Sequence, residues 1–80
     1  MRVCEGGMTK YFFHMVHATA TKLDADGSDF ANPCRAITEA ELNLLTFALE
    51  AKVRGKSVPI QVAVIEEGKP RRLIAMKSTE

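Results

Sequence analysis

The sequence predicts an α+β fold, a single two-layer domain in which an antiparallel sheet packs on one helix. Three observations predict it. The chain has 80 residues, enough for one domain and not two. One stretch carries helix start and stop signals about four turns apart. The segments on either side are rich in aromatic and β-branched residues and are punctuated by turn formers. Residues 9–80 are expected to form the domain, in the order strand, helix, strand, strand. Met1 to Met8, with Gly6 and Gly7 near its end, reads as a flexible arm.

The first strand is placed from Lys10 to Leu23, on Tyr11, Phe12, Phe13, Val16, Thr19 and Thr21. Its length lets it bend or pair with a further strand. Asp24-Ala-Asp-Gly-Ser-Asp29 follows as a turn, because Asp and Ser bond local backbone and Gly27 supplies a positive φ. Asn32-Pro33 continues the loop. The helix is placed at 39–54. Thr38 and Glu41 have capping-box spacing, with Ile37 and Leu42 as the hydrophobic staple. Glu39 and Glu41 meet the positive end of the helix dipole, Lys52 and Arg54 the negative end, and Gly55 stops the helix.

Ser57 to Glu66 is the next strand. Val58, Ile60, Val62 and Val64 share a face by the two-residue period, and Pro59 marks the strand's beginning or an edge. Glu66-Glu67-Gly68 reads as a three-residue hairpin loop with Gly68 left-handed. That loop sets Ile60 opposite Ile74 and Val62 opposite Arg72. Arg72, Ile74 and Met76 then share one face of the last strand, Leu73 and Ala75 the other.

The helix carries two apolar stripes. Leu42, Leu45, Leu49 and Val53 form one, expected to face the sheet. Leu44, Phe47, Ala48 and Ala51, with Ala40, form the other. A two-layer domain buries one helix face, so the second stripe is expected to meet a second copy or another protein. Tyr11 and Phe13 are expected to join Leu44, Phe47, Ala48 and Ala51 in that interface.

Charge and candidate chemistry limit the alternatives. The formal net charge is +1, which argues against a chain held to nucleic acid by phosphate neutralisation. The second half is nevertheless mildly basic, with seven Lys and Arg against five Asp and Glu. Lys52, Arg54 and Lys56 at the helix end and Lys69, Arg71 and Arg72 on the hairpin are a candidate basic contact edge if the two sets converge. Cys4 and Cys34 make no disulfide framework, and a reduced, cytoplasmic setting follows. His14, His17, Cys4 and Cys34 are metal-ligand types without metal-ligand spacing, so no zinc site is expected. Asp24, Asp26 and Asp29 miss the calcium-hand pattern, since Gly27 falls at its fourth position instead of its sixth. Cys34 beside Arg35 lacks an orienting base at any defensible spacing. No cofactor and no catalytic set are expected.

Thr9-Lys10-Tyr11-Phe12-Phe13-His14, followed by Leu23-Asp24-Ala25-Asp26-Gly27-Ser28-Asp29, resembles the opening of a small bacterial domain family whose members begin with a basic-Tyr-Phe-Phe-His strand. The likeness covers about the first thirty residues, and His17 to Thr21 departs from the family's acidic turn. It implies a compact strand–helix–hairpin domain and transfers no activity.

The function expected from these residues is non-catalytic protein binding, as a homodimeric inhibitor or adaptor. Accessory proteins of phages and mobile elements, among them anti-CRISPR and other anti-defence inhibitors, share this size, an analogy of class alone. The alternative is a small nucleic-acid-binding regulator using the basic edge.

Overall fold

A computed structural model describes residues 8–79. One helix packs on an antiparallel sheet of five strands. The elements are β1 (Thr9–Val16), β2 (Thr21–Lys22), β3 (Ser28–Phe30), α1 (Pro33–Arg54), β4 (Gln61–Glu66) and β5 (Arg72–Ser78). The sheet order is β2-β1-β4-β5, and β3 pairs with β1 along the same edge as β2. The α+β expectation holds. The arm expected at Met1 to Met8 falls almost wholly outside the described residues.

The long first strand is in fact two strands. β1 ends at Val16, the chain turns, with the His17 N–H donating to the Ala20 carbonyl at 2.7 Å, and β2 doubles back on Met15 and Val16. β3 then pairs with Thr9, Lys10 and Tyr11. Phe12 to His14 have no strand partner on that edge, and a side chain fills the gap. The Asp24 carboxylate accepts the Phe13 N–H at 3.1 Å through one oxygen. Its other oxygen accepts from Asp26 and Gly27 at 3.2 and 3.1 Å. The Asp24 N–H in turn donates to Nδ1 of His14 at 3.0 Å. Gly27 has φ 73°, as the turn reading required. Burial alone would push the Asp24 carboxyl up. The backbone donors of Gly27, Phe13 and Asp26 outweigh it and hold the group below its usual range.

The helix begins at Pro33, six residues before the expected start. Asn32 is the N-cap, its side-chain oxygen accepting the Arg35 N–H at 2.9 Å, and Pro33 occupies the first turn, where a missing N–H costs nothing. Thr38 therefore lies within the helix. The far end is where the sequence put it. Gly55 is left-handed at φ 68°, and the Lys56 N–H donates to the Ala51 carbonyl at 2.8 Å, closing the last turn.

The core also reverses the expected helix faces. Ala36, Ala40 and Leu44 are fully buried against Tyr11, Phe13, Met15, Val62 and Val64. Leu42, Leu45, Leu49 and Val53 point away from the sheet and are 54%, 54%, 65% and 79% exposed. The reason is volume. The inner face of the sheet is already filled by Tyr11, Phe13 and Met15, and Phe30 packs at ring-centroid distances of 6.1 and 5.8 Å from Tyr11 and Phe13. Such a surface accepts alanines and a single leucine at packed density, and a leucine stripe would overfill it.

The β4–β5 connection is longer than the expected loop. It runs over 67–71 and contains a cis Lys69–Pro70 bond, and Gly68 is not left-handed. The register moves accordingly. Val62 lies opposite Lys77 and Ile65 opposite Leu73, not Ile60 opposite Ile74. An irregularity between Val64 and Ile65 leaves Ile74 as the extra residue, so Ile74 and Ala75 both pack towards the core. Leu73 and Met76 are displaced to the outer face, where both are about half exposed. Only Val62 and Val64 of the expected inward set are buried; Ile60 precedes β4 and is exposed.

Candidate protein-binding surface

The expected interface residues separate into three environments. Tyr11, Phe13 and Leu44 belong to the core, at 1%, 8% and 0% exposure. They are therefore not a free surface, because the sheet and helix cover one another there. Ala48 is half-buried behind them. Phe47 and Ala51 line an open groove of about 730 Å³ between the second half of α1 and the 22–26 turn, bordered by Met15, Lys22 and Leu23. Phe13 forms part of its floor. Phe47 is 47% exposed, so the expectation of accessibility holds for this residue.

The surface that sequence reasoning assigned to the core is the larger one. Leu42, Leu45, Leu49 and Val53 form a stripe down three turns of α1, about 16 Å long. Nothing among the described residues covers it. A second apolar area lies on the outer face of the sheet, where cross-strand partners share a side. Phe12, Ile65 and Leu73 align there, as do His14, Ala63 and Met76. Phe12 is shielded by the Arg71 guanidinium, 4.3 Å from its ring centroid.

The basic residues do not converge. β1 and β4 pair Val16 with Gln61 at one end and Tyr11 with Glu66 at the other. Lys52, Arg54 and Lys56 lie towards the Gln61 end, where α1 leads into β4. Arg72 lies opposite Glu66, and Lys69 and Arg71 lie in the connection beyond it, one strand length (about 17 Å) away. Two of the hairpin cations are also neutralised locally. Arg71 pairs with Glu67 at 2.9 Å and Arg72 with Glu66 at 3.0 Å. Glu66 further accepts the Tyr11 hydroxyl at 3.4 Å, and burial, with the Glu66 charge, raises the Tyr11 pKa. No single basic edge results, and the reason is topological: helix end and hairpin occupy opposite ends of β4.

The residues with chemical potential have structural partners. His14 accepts from Asp24, and Asp24 is filled by three backbone donors. Nδ1 of His17 lies 3.1 Å from the Ser57 hydroxyl on an exposed surface, but no third group orients the ring among the described residues, and nucleophile activation requires one. Cys34 is exposed in the first turn of α1, and Cys4 lies outside the described residues. No group of three or more metal-binding side chains occurs among the described residues. No helix there is long and apolar enough to cross a membrane.

Comparison with family models, with curated proteins and with solved structures gives no match. The surface itself therefore carries the functional reading.

Proposed function

We propose that the protein is a non-catalytic protein-binding module, a cytoplasmic homodimeric inhibitor or adaptor. One observation carries this reading. The core closes completely without Leu42, Leu45, Leu49 and Val53, and four large apolar side chains on one helix face remain in water. Exposed apolar side chains scattered singly need no explanation; a contiguous helical stripe marks contact with another protein. The groove beside Phe47 supplies a second, chemically mixed surface for a target. Small anti-defence inhibitors of phages and mobile elements fit this description as a class.

The test is capture from native lysate by the tagged full chain, with and without nuclease, beside the variant Phe47→Glu. The expected result is a protein that survives nuclease and is lost with Phe47→Glu. Recovery that collapses with nuclease would overturn the reading in favour of nucleic-acid contact, as would binding that falls steeply with added salt.

A further inference from the structure

The exposed stripe is flanked by charges whose placement specifies its occupant. At about 100° per residue, Leu42, Leu45, Leu49 and Val53 cover an arc of about 80° on the side of α1 opposite Leu44. Glu41 and Lys52 lie together on one flank of that arc, three turns apart. Glu39 and Glu50 lie on the other flank, and Arg54 lies further round, about 140° from the middle of the stripe. All five side chains are exposed, and no hydrogen bond or ion pair within the chain engages them among the described residues. The Glu41–Lys52 flank thus runs from negative to positive along the helix.

A second copy of the same helix, laid antiparallel, satisfies this pattern. A two-fold axis between the helices, level with Thr46 and Phe47, brings each flank against the same flank of its copy. Glu41 then meets Lys52, the pair occurring twice by symmetry, and Glu50 on the other flank falls level with the neutral Asn43 of the copy. About the same axis Leu45 lies within about 1.5 Å of the level of Leu49 and Leu42 within about 3 Å of that of Val53, so the apolar stripe and the Glu41–Lys52 flank close in nearly one register. A parallel arrangement brings opposite flanks together at the same level. It puts Glu41 beside Glu39, like charge against like, twice, and exchanges the Glu41–Lys52 pairs for Lys52 beside Glu50, so repulsion is added with no attraction gained. The charges therefore select against it.

We infer that the outer face of α1 is a homodimer seam in which two copies of the helix pack antiparallel about a two-fold axis at Thr46–Phe47. The assembly is layered sheet, helix, helix, sheet, with the outer faces of both sheets left free. This inference rests on the protein-binding reading and assigns one of its surfaces to self-association.

The experiment is sedimentation equilibrium on the full chain, with circular dichroism to confirm folding of every variant. Wild type is expected to be a dimer at about 50 µM chain, the range that micromolar affinity populates. Leu45→Glu, which sets an unpaired charge in the seam twice, is expected to weaken the dimer by about a hundredfold or more with the fold retained. Glu41→Lys and Lys52→Glu, each converting two attractions into repulsions, are each expected to raise Kd about fivefold or more. The double exchange Glu41→Lys with Lys52→Glu is expected to restore wild-type Kd, because it rebuilds the pair with its signs reversed. A monomeric wild type overturns the inference, and so does a dimer that survives Leu45→Glu. Failure of the double exchange to recover affinity overturns the antiparallel register. A monomer that still captures its nuclease-resistant partner leaves the protein-binding reading standing, so the two failures are distinguishable.

Discussion

Replacing Asp24 by Asn should unfold the domain at a much lower temperature, and the loss should vanish in acid. The Asp24 carboxylate takes the place of a missing strand beside Phe13. It accepts one backbone N–H there and two more in its own turn, at 3.1 to 3.2 Å. Asn preserves shape and can still accept from Asp26 and Gly27 through its carbonyl oxygen. Its amide nitrogen, however, meets the Phe13 N–H donor against donor. A bond to a charged acceptor contributes about 1.5–3 kcal/mol, and an unsatisfied buried N–H costs about 1–3 kcal/mol. These describe one event from two sides, so the loss is about 2–3 kcal/mol. Domains of this length are stable by about 4–12 kcal/mol, and each kcal/mol moves Tm by about 4–8 °C. A drop of about 10–20 °C follows at neutral pH. The folded-state pKa of Asp24 is lowered. Its contribution is therefore fully present above the ordinary carboxylate pKa and is lost as pH falls through the lower folded value. Thermal and urea melts of wild type and Asp24→Asn, followed by circular dichroism from neutral to acidic pH, check this. A variant melting within about 2 °C of wild type at neutral pH would refute the strand-substitute argument. A Tm gap that persists unchanged in acid would show that the carboxylate charge is not its source.

Three further outcomes are expected. Gly27→Ala should destabilise by about 1–3 kcal/mol, because its left-handed φ penalises a side chain and a Cβ would lie 2.9 Å from the Phe12 ring; urea denaturation measures it. Leu44→Ala should cost about 2–5 kcal/mol by leaving a cavity, whereas Leu49→Ala should change the unfolding free energy of the dilute, monomeric chain by less than about 0.5 kcal/mol; paired denaturation curves read the contrast. Asn32→Ala should cost about 1 kcal/mol and Thr38→Ala well under that, since only Asn32 caps α1; a larger loss at Thr38 would restore the later helix start.

One helix followed by two strands was legible in the sequence, and so was the end of the helix at Gly55, but the short strands β2 and β3 were not, being read as part of the first strand and as turn. The helix start was not. Asn32-Pro33 reads equally well as a loop or as cap and first position, and the capping-box spacing at Thr38 competed with it. The two apolar stripes were visible, but periodicity alone does not say which one meets the sheet. The bulk of Tyr11, Phe13 and Phe30 decides that, and it favours the alanines. For the candidate site, the consequence is an exchange of roles: Leu44 moved into the core, and Leu42, Leu45, Leu49 and Val53 moved out. The signal that could have found this was the Ala36-Ala40-Leu44 spacing, a narrow seam suited to a crowded partner. The basic residues were read as one candidate edge on which helix end and hairpin converge, and strand direction places the two groups at opposite ends.

The position of β1 in the sheet has a consequence for biogenesis. β1 is made before the other described elements, yet it is an interior strand, and its main partner is β4. Tyr11 bonds to Glu66, 55 positions later. Until β4 is synthesised, the aromatic wall of Tyr11, Phe13 and Phe30 has only two very short strands beside it and no second interior strand to complete the sheet. Loop closure over that distance must precede most of the gain from packing. Completion of the sheet therefore waits for β4, and a chain ending before Gln61 leaves the aromatic strand without its main partner.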